Sequence, residues 1–160
     1  MVSSSPLITF LLPALDEAQG ITATLATIPI HSLHDAGYQV EILVVDGGST
    51  DATRSLAQQG GARVLSSDRG YGKQYQRGFR EARGDIIITG DSDGTYPFED
   101  ALKYIRVLEQ QNLDFITINR FAHLEPKAMP ALNYLGNRFL TFCMYILFSL
   151  KLQDSQSGMW

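Results

Sequence analysis

The stretch 86–94 reads Ile-Ile-Ile-Thr-Gly-Asp-Ser-Asp-Gly and indicates both a fold class and the position of a site. Three consecutive isoleucines are typical of a strand buried in a parallel sheet. Asp91 and Asp93 follow directly, and a carboxylate is costly to bury unless it is paired or holds a metal. The change therefore marks the carboxyl end of a strand, where open α/β sheets bind ligands. Two such carboxylates suit a hard divalent cation that also contacts substrate phosphate, although Asp-Ser-Asp-Gly is equally suited to a plain turn.

Apolar runs and helical patterns alternate on both sides of this stretch. Strands are predicted at 7–12, 41–45, 62–65, 85–89 and 115–118, with helices at 18–28, 50–59, 71–82 and 97–111. Such alternation with short connections predicts an α/β fold with a mainly parallel sheet flanked by helices. Polar residues follow four of the strands, and the carboxyl ends of parallel strands meet at one edge. We therefore expect a single site built from these loops.

Four residues of these loops have candidate roles of their own. Asp46, at the tip of the second strand, can accept hydrogen bonds from a base or a ribose. Ser49 or Thr50 can cap the helix that follows. Lys73 lies among glycines near a helix start, where it either neutralises a phosphate or belongs to a solvated surface.

The composition excludes several classes of function. The chain has 160 residues, 44% of them hydrophobic and 19% charged, which is typical of one globular domain. A net charge of −4 argues against nonspecific nucleic-acid binding. Cys143 is the single cysteine, so an internal disulfide framework is excluded. Neither the dinucleotide-binding nor the P-loop glycine spacing is present, which disfavours NAD, FAD and P-loop NTPase chemistry.

Five motifs occur in order along nearly the whole chain. They are Pro-Ala-Leu-Asp-Glu at 13–17, Val-Val-Asp-Gly-Gly-Ser-Thr-Asp at 44–51, Gly-Tyr-Gly-Lys at 70–73, Gly-Asp-Ser-Asp-Gly at 90–94 and Asp-Ser-Gln-Ser-Gly at 154–158. Together they resemble the GT-A glycosyltransferases of the dolichol-phosphate mannose synthase and polyprenyl-phosphate glycosyltransferase type. Five ordered motifs are far more specific than any one of them.

The resemblance implies a GT-A, Rossmann-like fold and a set of site residues. One domain spans 1–160, with residues 1–118 binding the nucleotide sugar and 119–160 beginning the part that faces the acceptor and lipid. Asp91 and Asp93 match the pair that holds Mg²⁺ or Mn²⁺, and Arg120 matches a basic residue that meets the acceptor phosphate; these three form the expected catalytic set. The expected donor-binding set is Pro13, Asp16, Glu17, Asp46, Lys73, Asp91, Gln156 and Ser157. Asp16 departs from the family, which has Asn there, and adds a negative charge.

The implied reaction is inverting transfer of a hexose from GDP-mannose or UDP-glucose to a polyprenyl or dolichyl phosphate. A phosphate acceptor is already anionic, so no side chain needs to remove a proton, and none of the three histidines follows a strand of the expected site. Two alternatives remain: a nucleotide-sugar-binding module that is inactive because it is truncated, and a glycosyltransferase with a soluble acceptor. A nucleotidyltransferase is disfavoured, because 13–17 is acidic where a basic glycine-rich loop would be expected.

The apolar stretch 132–150 is the part of the sequence that suggests contact with a membrane. It suits an interfacial helix beside a lipid acceptor, although a core helix of a missing half has the same pattern. With no evident signal peptide, a cytoplasmic protein is expected, with peripheral contact at the cytoplasmic face of a membrane. Family members continue past the segment at 154–158, so we expect a truncated chain, or one that an oligomer or a partner polypeptide completes.

Overall fold

The computed structural model of the protein describes residues 5–94, 98–117, 131–149 and 152. The strands are β1 (Leu7–Ala14), β2 (Gln39–Asp46), β3 (Arg63–Ser66) and β4 (Ile86–Thr89). The helices are α1 (Ile21–Ala26), α2 (Ile30–Asp35), α3 (Thr53–Gln59), α4 (Tyr71–Glu81), α5 (Ala101–Gln110) and α6 (Ala131–Phe148). The order of elements is that of an α/β protein.

The four strands form one parallel sheet in the order β3-β2-β1-β4. Ala14 at the end of β1 is level with Asp46 at the end of β2, and Leu11 is level with Thr89 of β4. The chain moves outward from β1 to β3 and then returns to the other side of β1. The order therefore reverses between β1 and β4, and a crevice at such a switch point is where open α/β sheets bind ligands.

Apolar side chains fill both faces of the sheet, as residues that alternate along buried strands must. On one face, Phe10 and its neighbours in β1 pack with α1, α2, α3 and α5, and Phe98 meets the Phe10 ring edge-on with ring centroids 5.3 Å apart. On the other face, Leu11, Leu43 and Val45 pack against Tyr75 of α4. The predicted parallel sheet with helices on both faces is confirmed.

A polar cluster around Glu41 ties the strands together at the amino end of the sheet. The Glu41 carboxylate accepts hydrogen bonds from Thr9 Oγ1 at 2.7 Å, from Arg63 Nη2 at 2.8 Å and from the Arg83 backbone N–H at 3.0 Å. Burial alone would raise the pKa of Glu41, but these hydrogen bonds outweigh it and hold the pKa below its ordinary value. This cluster stabilises the edge opposite the predicted site.

Sequence predictions for four elements were wrong in part, and one of them is the helix at 50–59, which begins at Thr53 as α3. The predicted strand at 115–118 is not a strand over residues 115–117, where Phe115 is 54% exposed, and residue 118 lies outside the described residues. The predicted helix 18–28 is shorter, and Pro29 separates α1 from a second helix, α2, that the sequence analysis missed. The predicted helix start at 97 is also wrong, since α5 begins at Ala101 and residue 97 lies outside the described residues.

The apolar C-terminal helix is present as α6. Large apolar side chains on it are solvent-exposed: Leu135, Phe139, Leu140, Phe142, Tyr145, Ile146, Leu147 and Phe148. Within the described part of the chain, no helix combines the length and the hydropathy needed to cross a bilayer. His31 and His34 are exposed on α2, and His123 lies outside the described residues.

Candidate functional site

The loops that follow β1 and β2 are held together by Asp16. Its backbone is left-handed (φ 55°), a conformation that Asp and Asn adopt more readily than other residues with a side chain. Its N–H donates to Ser49 Oγ at 2.9 Å, and its Oδ1 accepts from the Thr50 N–H at 2.7 Å. Ser49 and Thr50 therefore brace the loop after β1. The prediction that either residue caps a helix was wrong, because α3 begins later, at Thr53.

A second set of bonds continues this bracing toward α3. Asp51 accepts from the Ala18 N–H at 3.0 Å and from the Thr53 N–H at 2.9 Å. Thr53 Oγ1 in turn accepts from the Glu17 N–H at 2.7 Å. Donation by the Thr53 hydroxyl and then by its N–H lowers the pKa of Asp51, so the residue stays ionised in this network. The two loops thus form one rigid unit beside the crevice.

Asp46 is fully buried at the end of β2. Its carboxylate accepts from the N–H groups of Gly48 and Ser49, each at 3.2 Å, and pairs with Arg54 Nη1 at 3.1 Å. In the structure this carboxylate therefore shapes its own loop. A direct role of Asp46 in binding a base or ribose stays a prediction.

Two buried polar residues that the sequence analysis missed fix the edge of the crevice. Gln74 of α4 donates through Nε2 to the carbonyl oxygens of Ala14, at 2.7 Å, and Val45, at 3.0 Å, and so joins the ends of β1 and β2. Ser92 Oγ donates to the Pro13 carbonyl at 2.7 Å and anchors the 91–93 loop to β1. Only the tertiary contacts distinguish these side chains from ordinary polar residues, so the sequence carries no signal for them.

The loop after β4 places Asp91 and Asp93 at the switch point. Gly20 lies beneath this loop, where a Cβ would come within 2.8 Å of backbone atoms of Asp93. Asp91 is half-buried, and its Oδ1 accepts a hydrogen bond from the Tyr71 hydroxyl at 2.6 Å. Two predicted site residues are thus held in position by close contacts from α4 and from the start of α1.

A pocket of about 450 Å³ opens between the loops that follow β1 and β4. It is lined by Pro13, Ala14, Leu15, Glu17, Arg69, Gly70, Tyr71, Gln74, Asp91, Ser92 and Asp93. The structure therefore brings together Pro13, Glu17, Asp91 and Asp93 of the predicted set. Arg69, which the sequence analysis did not select, is the cation among the lining residues.

Lys73 is not among the residues that line this pocket. It points to the other side of α4, where its Nζ pairs with the exposed Asp68 at 3.2 Å and it lines a separate basic groove. Of the two interpretations of Lys73, the geometry favours a solvated surface. Arg120, Gln156 and Ser157 lie outside the described residues, so their predicted roles stay predictions.

The pocket is strongly acidic on one side. Burial, followed by the negative charges of Asp93, Asp51, Asp91 and Asp16, raises the pKa of Glu17. Negative charges that disfavour a further ionised carboxylate also attract a cation.

The donor set at this edge fits a hard divalent cation. Asp91 and Asp93 offer carboxylate oxygens, the ligands that Mg²⁺ and Mn²⁺ take in proteins. Among the described residues, no group of three His, Cys, Asp or Glu side chains is arranged to hold a metal by itself. A cation bound here would therefore depend on waters and on a phosphate ligand as well, as Mg²⁺ commonly does.

Comparisons with known proteins agree with this geometry. The family described as Glycosyl transferase family 2 matches residues 9–151. The low-salt glycan biosynthesis hexosyltransferase Agl6 of Haloferax volcanii is 32% identical over 97% of this chain, which corresponds to 38% of Agl6. The dolichyl-phosphate hexose transferase of the same organism is 29% identical over 90% of this chain and 60% of its own length. The chain thus spans between about two fifths and three fifths of the length of these relatives.

Solved structures show the same fold. Glucosyl-3-phosphoglycerate synthase of Mycobacterium tuberculosis, in complex with Mn²⁺, UDP and phosphoglyceric acid, has a TM-score of 0.64 and 26% identity, covering 96% of this chain and 54% of that one. Its complex with Mg²⁺ and UDP has a TM-score of 0.63 at 26% identity, covering 96% and 55%. The predicted GT-A, Rossmann-like fold is confirmed. The chain belongs to glycosyl transferase family 2.

Proposed function

We propose that the protein transfers a hexose, with inversion, from a nucleotide sugar to a polyprenyl or dolichyl phosphate. The observation that supports this most is the convergence of Asp91 and Asp93 with Glu17 and Arg69 around one pocket at the switch point of the sheet. A nucleoside diphosphate carries several negative charges and would be repelled by the carboxylates of the pocket. A pocket that binds this ligand therefore needs positive charge close to those carboxylates. Arg69 and a divalent cation would supply that charge.

Asp91 and Asp93 are the proposed ligands of Mg²⁺ or Mn²⁺. The glucosyl-3-phosphoglycerate synthase structures contain either ion together with UDP, and the likeness of their fold to this chain supports a metal-assisted reaction here. Bound at this edge, the ion would stabilise the negative charge that develops on the departing diphosphate. Pro13 and the loop braced by Asp16 would border the nucleotide.

In the proposed reaction, the negatively charged acceptor phosphate is the nucleophile and the nucleoside diphosphate is the leaving group. An oxygen of the acceptor phosphate attacks the anomeric carbon of the sugar and forms the new C–O bond. The bond from that carbon to the nucleoside diphosphate breaks, and its electron pair leaves with the diphosphate. No proton has to be removed from the acceptor, which fits a pocket whose described lining contains no histidine. The protein's part is to hold the two reactants in line.

A lipid acceptor is favoured by α6. Among the side chains of this helix that the structure describes, eight large apolar ones are exposed, with Phe139 at 63% and Leu147 at 71%. Such a surface is unusual on a soluble domain and suits the headgroup region of a membrane. The name of the dolichyl-phosphate hexose transferase from Haloferax volcanii points to the same acceptor class. We therefore propose that α6 lies at the cytoplasmic surface of a membrane, beside the lipid phosphate.

A soluble phosphorylated acceptor is the second candidate. The structural neighbour glucosyl-3-phosphoglycerate synthase was solved with phosphoglyceric acid, and its fold covers 96% of this chain. Both acceptors present an anionic group, so the donor pocket alone does not discriminate between them.

A transfer assay tests the proposal. The protein is incubated with Mg²⁺ or Mn²⁺, labelled GDP-mannose or UDP-glucose, and either polyprenyl phosphate or phosphoglycerate. We expect labelled lipid, no labelled phosphoglycerate, and loss of transfer in Asp91→Ala/Asp93→Ala. Asp68→Ala is the matched control, because it removes an exposed carboxylate outside the pocket. Transfer that survives the double substitution, or transfer to phosphoglycerate alone, contradicts the proposal.

Co-sedimentation with vesicles tests the lipid-facing role of α6. We expect the protein to bind vesicles that contain anionic lipid, and Phe139→Ser/Leu147→Ser to bind them less. Leu113→Ser is the control, since Leu113 is an exposed apolar residue outside α6. Equal binding by all three proteins would refute a specific role of this helix.

A further inference from the structure

We propose that Tyr71 is a positioning residue for the metal site, because its hydroxyl fixes the carboxylate of Asp91. The inference rests on the proposed function and extends it to a residue outside the Asp-Ser-Asp motif. Tyr71 is the first residue of α4, and its hydroxyl donates to Asp91 Oδ1 at 2.6 Å. A bond from a phenol to a carboxylate at this length is among the stronger side-chain hydrogen bonds.

The Tyr71 ring is itself held in place. Its ring meets that of Tyr75, one helical turn further along α4, edge-on with centroids 4.9 Å apart. Tyr75 is 7% exposed and packs in the core with Leu11 and Val45. Tyr75 also stacks on Phe79, with centroids 5.8 Å apart. Tyr71, which is 54% exposed, thus packs against a ring that is anchored in the core.

The two tyrosine hydroxyls form a short chain toward Asp91. Their oxygens lie 3.3 Å apart, and since Tyr71 donates its proton to Asp91, Tyr75 is the donor to Tyr71. Donation from Tyr75 polarises the Tyr71 hydroxyl and strengthens its bond to the carboxylate.

The start of α4 is shaped to deliver Tyr71 to this position. Gly70 has φ 137°, which lets the chain turn abruptly into the helix with no Cβ to oppose it. Both Gly70 and Tyr71 line the same pocket as Asp91 and Asp93. Carboxylates that bind metals are commonly oriented by such outer hydrogen bonds, and removing one costs roughly 10–100-fold in metal affinity.

The test compares two tyrosines that make the same bond. Tyr71→Phe removes the donor to Asp91, and Tyr38→Phe removes a donor to Glu109, also at 2.6 Å, at the opposite end of the sheet. Binding of Mn²⁺ is measured by electron paramagnetic resonance in the presence of UDP and, in parallel, of GDP. We expect Tyr71→Phe to raise the apparent Kd for Mn²⁺ about tenfold, and Tyr38→Phe to leave it unchanged. UDP or GDP affinity at saturating Mn²⁺ is expected to be unchanged in both variants.

Each other outcome overturns the inference. Wild-type Mn²⁺ affinity in Tyr71→Phe shows that the bond does not position a metal ligand, and leaves the proposed function intact. An equal loss in Tyr38→Phe shows a general structural effect. Weaker nucleotide binding by Tyr71→Phe at saturating Mn²⁺ shows that Tyr71 contacts the nucleotide instead. A wild-type protein that retains no Mn²⁺ with either nucleotide overturns the proposed function, and this inference with it.

Discussion

Replacing Gln74 by Met tests how the edge of the sheet is held together. The substitution keeps the approximate length of the side chain and removes the two hydrogen bonds to the carbonyls of Ala14 and Val45. Each buried hydrogen bond contributes a net ~0.5–1.5 kcal/mol, so the loss should be about 1–3 kcal/mol in the free energy of unfolding. The Ala14 carbonyl also accepts from the Gly47 N–H at 2.9 Å, which keeps the loss from being larger. The unfolding equilibrium constant then rises by roughly 5- to 150-fold.

Urea unfolding followed by circular dichroism measures this loss. The slope of the free energy of unfolding against urea concentration should stay the same, while the urea concentration at the midpoint of unfolding falls. Gln76→Met is the matched control, because Gln76 is exposed on the same helix and such a change typically costs less than about 0.5 kcal/mol. If Gln74→Met were no more destabilising than Gln76→Met, the proposed role of Gln74 in joining β1 and β2 would be refuted.

Three further substitutions test other parts of the structure. Glu41→Gln should destabilise the protein by about 1–3 kcal/mol near neutral pH. Because the folded-state pKa of Glu41 is lowered, this loss is present above the ordinary glutamate pKa and shrinks as the pH falls through the lowered value. Urea unfolding of both proteins at several pH values would show this dependence. Gly20→Ala should push the loop at Asp93 outward at a cost of about 1–3 kcal/mol and weaken Mn²⁺ binding, so unchanged Mn²⁺ affinity would contradict the close contact seen there. Asp16→Asn should leave the unfolding midpoint nearly unchanged, because Asn tolerates the same backbone and keeps the acceptor, whereas Asp16→Ala should lower it; equal midpoints for the two variants would exclude the bracing role.

The sheet could be predicted from the sequence because its strands are continuous apolar runs. In β1, β2 and β4 the buried residues are consecutive, which only a sheet covered on both faces permits. The run at 115–118 has the same local pattern, yet 115–117 lies outside the sheet. A short apolar run does not reveal whether a partner strand is beside it, so this prediction failed.

The convergence of the polar loops at one edge of the sheet was predictable, but the contacts that each side chain makes there were not. Parallel strands bring their carboxyl ends to one edge, so Glu17, Asp91 and Asp93 could be placed together in advance. The turn into α4 places Arg69 in the lining of the pocket and Lys73 outside it. Which of the two cations lies in the pocket could not be predicted from the sequence. Gln74 and Tyr71 act through contacts with residues distant in the chain. Such contacts become visible only in three dimensions.

The resemblance implies Asn at position 16, where this chain has Asp, and the structure accommodates both residues. The residue adopts φ 55°, and its Oδ1 accepts from the Thr50 N–H. Asn and Asp both satisfy these two requirements, so the substitution conserves the brace between the loops. The added negative charge is one of several that raise the pKa of Glu17.

The central claim is that Asp91 and Asp93 form a cation-dependent site for the donor's diphosphate. The most direct test is isothermal titration calorimetry of the protein with UDP and, separately, with GDP. Each titration is carried out once in the presence of Mn²⁺ and once in the presence of EDTA. We predict that at least one nucleotide binds, that EDTA abolishes this binding, and that Asp91→Ala/Asp93→Ala abolishes it while Asp68→Ala does not. Nucleotide binding that persists in EDTA and in the double variant would contradict the account.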